Sequence, residues 1–101
     1  MKIEVLYVPG CPHYEPAVER VEKVLAAEAV EDEIETVAVT TLAEARALLF
    51  PGSPTIRVNG QDVEPSQALS AGLACRLYAN RSGMPSEETL RAAVAEAKRK
   101  K

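Results

Sequence analysis

A β-branched apolar run is cut by two prolines and a glycine and then passes straight into helical periodicity. Residues 2–8 carry Ile3, Val5, Leu6 and Val8, a density that fits a strand buried on both faces and therefore central in a sheet. After Pro9-Gly10-Cys11-Pro12, the residues Ala17, Val18, Val21, Val24 and Leu25 recur at the spacing of one helix face. Glu19, Arg20, Glu22 and Lys23 fill the gaps. Pro16 belongs in the first helical turn, so the expected start is Tyr14 or Glu15 and the expected end is near Ala29. Residues 34–39 read as a second strand, and a strand–helix–strand unit makes its two strands parallel with a right-handed crossover.

The remaining pattern completes one sheet. Thr41-Leu42-Ala43-Glu44 has capping-box spacing and opens a short helix whose apolar positions are Leu42, Ala45, Leu48 and Leu49. Phe50-Pro51-Gly52-Ser53-Pro54 breaks it. Residues 55–58 form a third strand, Asn59-Gly60 is a two-residue hairpin turn, and residues 61–64 return as a fourth strand. Between residues 65 and 85 the pattern is less regular: Ser66 is a candidate cap for a helix through Leu69 and Leu73, and Cys75-Arg76-Leu77-Tyr78 is a short apolar piece. Ser86 then caps a last helix through Leu90, Val94 and Ala97, with Glu87 and Glu88 in its first turn and basic residues at its end. The expected fold is α/β, a single domain over residues 1–101 in the order βαβαββα, with a four-stranded mixed sheet flanked by helices.

Composition narrows the partners. A chain of 101 residues with a net charge of −3, three Tyr, one Phe and no Trp offers neither a basic surface nor a base-stacking platform, which argues against nucleic acid. No apolar run approaches membrane-spanning length, and the first residues lack the pattern of a signal peptide. A cytoplasmic location is the expectation, and two cysteines in a reducing compartment are not expected to form a permanent disulfide. They are either two inert buried thiols or two groups with chemistry to do.

Cys11 is placed for the second role. At a strand-to-helix junction, free N–H groups and the positive end of the helix dipole favour an anion, so a cysteine there is a better thiolate than one in a loop. Pro12 suits an opening turn, and a protonated His13 would add positive charge beside the sulfur. The plainer alternatives, a small residue at a tight turn for Cys11 and an exposed loop residue for His13, stay open.

The element order, Cys11 after the first strand, and Ser53-Pro54-Thr55 before the hairpin together resemble the thioredoxin fold. The resemblance covers the chain except residues 65–85. It implies that Cys11 is an attacking thiol and that Pro54 is a cis-proline facing it. Pro54 would shape a peptide-binding edge, and Ser53 and Thr55 would offer backbone groups to the substrate. Where the usual pair is C-x-x-C, this chain has Cys11-Pro12-His13-Tyr14, which puts Tyr14 on the substrate side and leaves no second thiol in the motif. Gly-Cys-Pro, Tyr-Glu-Pro-Ala-Val-Glu-Arg-Val, Gly-Ser-Pro-Thr-Ile-Arg-Val and Gly-Leu-Ala-Cys-Arg-Leu-Tyr look like a group of short bacterial thioredoxin-like proteins, some labelled DF family (seleno)protein or alkylmercury lyase. The implied activity is thiol–disulfide exchange without a cofactor, with a disulfide-bearing protein or a low-molecular-weight thiol as partner.

Topology then brings in Cys75. If the third strand starts beside Cys11, the antiparallel fourth returns the chain to that end. Cys75 follows about ten residues later, within reach at roughly 3.3 Å per residue. It is either the resolving thiol that Tyr14 is not, or a small hydrophobe packed with Leu73 and Leu77. Two further functions stay open: a carrier that holds a soft metal or an organomercurial through Cys11 and Cys75, and a redox-inactive adaptor. The residues match no closed zinc pattern. A ferredoxin-like metal carrier is disfavoured by the helix that Leu42 opens.

Overall fold

The computed structural model describes residues 1–64, 78 and 82–99. In chain order the elements are β1 (Ile3–Tyr7), α1 (Tyr14–Ala27), β2 (Ile34–Ala38), α2 (Leu42–Ala47), β3 (Thr55–Val58), β4 (Gln61–Asp62) and α3 (Glu87–Arg99). They form an α/β fold with one four-stranded mixed sheet in the order β2-β1-β3-β4. β1 is central, as its apolar density requires. It runs parallel to β2, from Ile3 opposite Ile34 to Tyr7 opposite Ala38, and antiparallel to β3, with Leu6 opposite Thr55.

Alternation along β1 and β3 sends side chains to two different layers. Ile3, Val5, Ile56 and Val58 face α1 and α3 and pack with Ala17, Val21, Val24, Leu25, Leu90 and Val94. Leu6 faces the other way and packs with Val39, Ala45 and Phe50. The helices therefore cover both faces, α1 and α3 together on one and the six-residue α2 on the other. At the far end of the hairpin, Asn59 and Gly60 both have positive φ, 53° and 82°, as a type I′ turn demands. Asn59 clasps the start of the chain: its N–H donates to the Lys2 carbonyl at 2.7 Å, and its Oδ1 accepts from the Lys2 N–H at 2.8 Å.

The structure corrects three expectations. α1 stops at Ala27, and Ala29 takes φ 56° in a turn where the Val30 N–H donates to the Leu25 carbonyl and the Ala29 N–H to the Ala26 carbonyl. α2 ends the same way. Leu49 takes φ 52°, while Phe50 and Leu49 donate to the Ala45 and Arg46 carbonyls. Both are Schellman turns, with Ala or Leu where glycine is usual. The second turn swings Phe50 into the core and leaves Leu49 80% exposed; Leu42 is 43% exposed, so neither is the core residue its spacing suggested. β4 is only Gln61–Asp62. The Val63 N–H still reaches the Ile56 carbonyl, but the Asp62 carboxylate then takes the Glu64 N–H at 2.9 Å and turns the backbone out of the ladder. The expected helix after Ser66 and the piece 75–77, including Cys75, lie outside the described residues. No helix among the described residues is long and apolar enough to cross a membrane.

Candidate functional site

The loop from β1 to α1 is two consecutive turns with Cys11 at their junction. Pro9 and Gly10 occupy the central positions of the first, which the Cys11 N–H closes onto the Val8 carbonyl at 3.0 Å. Gly10 has φ 89°, the value that a type II turn with proline before it requires. In the second, the Tyr14 N–H reaches the Cys11 carbonyl at 3.3 Å, and the Ala17 N–H then donates to the His13 carbonyl to begin α1. His13 is the residue before the helix and makes no side-chain cap bond. Cys11 is a half-buried free thiol at the head of α1.

Tyr14 opens α1 and stacks on Tyr7 at the end of β1, with ring centroids 3.7 Å apart and planes 14° from parallel. Partial burial, and after it the neighbouring Tyr14 hydroxyl, holds the Tyr7 phenol above its ordinary range.

The proline loop meets this junction from the neighbouring strand. The pairing of Leu6 with Thr55 carries Ser53 and Pro54 alongside Tyr7 and Val8, and the Val8 N–H donates to Ser53 Oγ at 2.9 Å. The Thr55 hydroxyl donates to the Gly52 carbonyl at 2.6 Å. Ser53, Pro54 and Thr55 are all buried, so the two hydroxyls serve the scaffold of this pole. The Ser53–Pro54 peptide bond is cis.

Sequence reasoning missed two residues that complete the pole. Tyr78 is 2% exposed, and its hydroxyl donates to the Pro54 carbonyl. Gly83 lies directly against the His13 ring. Beyond it, Arg20 of α1 donates to the Pro85 carbonyl at 2.9 Å. These contacts join residues dozens of positions apart, so no local spacing announces them; the lone glycine in Ser82-Gly83-Met84-Pro85 is the one signal the sequence offers.

Of the expected site residues, Cys11, Pro12 and His13 lie in one loop with Tyr14 at the first position of α1, and Ser53 and Pro54 lie in the loop tied to it with Thr55 opening β3. Cys75 lies outside the described residues. Among the described residues no group of three His, Cys, Asp or Glu side chains is placed to hold a metal ion. A groove of about 470 Å³ beside α3, lined by Val58, Asn59, Gln61, Asp62, Thr89 and Ala93 among others, contains none of the expected site residues. No protein-family model matches the chain, and neither a curated protein nor a solved structure matches it significantly.

Proposed function

We propose that this chain is a thioredoxin-like thiol–disulfide redox protein with Cys11 as its attacking thiol. One observation carries the reading: the Val8–Ser53 hydrogen bond stitches the cysteine loop to the proline loop, with a half-buried thiol at the head of a 14-residue helix. The mixed sheet with β1 at its centre supports the fold half of the proposal. A disulfide-bearing protein or a low-molecular-weight thiol is the partner in this reading, and a reducing cytoplasm is its setting.

The Cys11 thiolate attacks one sulfur of a substrate disulfide. That S–S bond breaks, a new one joins Cys11 to the attacked sulfur, and the other substrate sulfur leaves as a thiolate that takes a proton. A second thiolate then attacks the Cys11 sulfur and releases the remaining substrate thiol, so the substrate gains two electrons and the attacking pair becomes a disulfide. Cys75 is the internal candidate for this second step. Tyr78, bonded to Pro54 at this pole, is three residues further along the chain, at most about 11 Å of extended backbone.

Mass spectrometry after mild oxidation tests the proposal. The expected product is a monomer lighter by two hydrogens, and the Cys75→Ser variant should instead collect glutathione at Cys11. Only intermolecular species, with Cys75→Ser behaving like wild type, would make Cys75 a packing residue and leave Cys11 dependent on an external thiol. If Cys11 exchanges with glutathione disulfide no faster than free cysteine does, the redox reading fails. Stoichiometric uptake of mercuric ion that blocks both thiols would then favour the carrier, and no uptake the adaptor.

A further inference from the structure

The His13 imidazole occupies the space where a side chain at residue 83 would be. A β-carbon built on Gly83 would stand 2.5 Å from His13 Nε2 and 2.6 Å from its Cγ, with Cδ2 closer still. Gly83 is not among the residues with positive φ, so what calls for glycine here is space and not backbone conformation.

We infer that Gly83 is a positioning residue for His13: its bare backbone is the wall that fixes the imidazole within the Cys11 loop. The inference rests on the thiol chemistry proposed above. Residue 13 has a fixed backbone, since Tyr14 is bonded back to Cys11 and Ala17 to His13 itself. With no cap bond on its side chain, the ring's direction is the freedom that remains, and packing must remove it. The wall is itself anchored. Ser82 accepts from the Tyr78 N–H at 3.0 Å, Tyr78 is held to Pro54, and Pro85 is held by Arg20 of α1. Met84 packs against the core on the α1–α3 side. A methyl group at residue 83 must therefore displace the ring or tear the wall from these anchors. The ring belongs to the residue two places after Cys11, and a protonated imidazole beside the sulfur would favour the reactive thiolate, so moving the ring is expected to change how fast the sulfur reacts.

The chain has one histidine, which makes its imidazole signals unambiguous in a proton NMR spectrum. Gly83→Ala should shift both ring resonances and slow iodoacetamide alkylation of Cys11 several-fold, read at that residue by peptide mass mapping. His13→Ala should slow it by a similar factor, and adding Gly83→Ala to His13→Ala should change nothing further. An equal effect of Gly83→Ala with and without the ring, unmoved imidazole signals, or a His13→Ala variant that alkylates at the wild-type rate would each overturn the inference. Should Gly83→Ala fail to fold, the double variant must fold, because the ring the methyl meets is gone; failure of both would also sink it. Failure of disulfide exchange in the wild type would remove the proposed function, yet alkylation rates and ring signals would still decide the role of Gly83.

Discussion

The two faces of the sheet are held by different means. Against α1 and α3 the described residues bury ten apolar side chains in one cluster; against α2 they bury four, and the helix itself supplies only Ala45. The thin face is pinned by polar contacts instead. Arg57, which projects from β3 on that side, donates to the Leu48 carbonyl at 2.6 Å and the Leu49 carbonyl at 3.2 Å just past the end of α2. At its start, Thr41 Oγ1 accepts the Glu44 N–H at 3.1 Å, and the Glu44 carboxylate takes the Thr40 hydroxyl at 2.6 Å. A six-residue helix cannot cover enough apolar area to hold itself down, so specific hydrogen bonds substitute for area.

Truncating the largest side chain of the thin face should break it first. Phe50→Ala should cost about 3–5 kcal/mol, against roughly 1–3 kcal/mol for Val94→Ala in the larger cluster, both read as urea midpoints at constant m-value. Equal losses would mean that the two faces share one core. Arg57→Met should cost about 1–2 kcal/mol, towards the low end for a charged donor because the two carbonyls can turn to water. The sign reverses at the Schellman turns. Leu49→Gly and Ala29→Gly should each stabilise by roughly 0.5–1 kcal/mol, since glycine meets no penalty at positive φ. A gain on one face only would show that the neighbouring packing, and not the turn, sets the strain.

The smallest effect is acid sensitivity. The Thr40 hydrogen bonds hold the Glu44 carboxyl below its ordinary value, and the Lys23 hydrogen bond does the same for Glu87 between α1 and α3. A lowered folded-state pKa means stabilisation that is complete above the ordinary glutamate value and is lost as pH falls through the lowered one. Glu44→Gln and Glu87→Gln should each flatten a small part of the decline in thermal midpoint as the medium is acidified below that value.

Much of this architecture is legible in the sequence where the signal is local. The apolar density of β1, the proline in the first turn of α1, the Thr41–Glu44 box and the Asn59-Gly60 turn each fix a short piece of backbone by short-range physics, and β3 spans the residues its pattern marks. Leu42 and Leu49 mislead because helical spacing counts them as core, whereas a positive φ at Leu49 turns the chain and hands the buried position to Phe50. In the candidate site, the Cys11 loop is readable because proline and glycine dictate its turns. The Ser53 bond to Val8, the Tyr78 bond to Pro54 and the Gly83 wall are not, since each depends on strand register or on a return of the chain that no local residue pattern encodes.

The three tyrosines all sit at one end of the molecule, and the chain contains no tryptophan. Tyr7 and Tyr14 stack across the cysteine loop, and Tyr78 caps Pro54. Intrinsic ultraviolet emission excited near 280 nm therefore originates from the aromatic groups around this pole, since the phenylalanine Phe50 contributes little at that wavelength. The molecule carries its own optical label where sulfur chemistry is proposed, and oxidation of Cys11 is expected to change the tyrosine fluorescence with no dye attached.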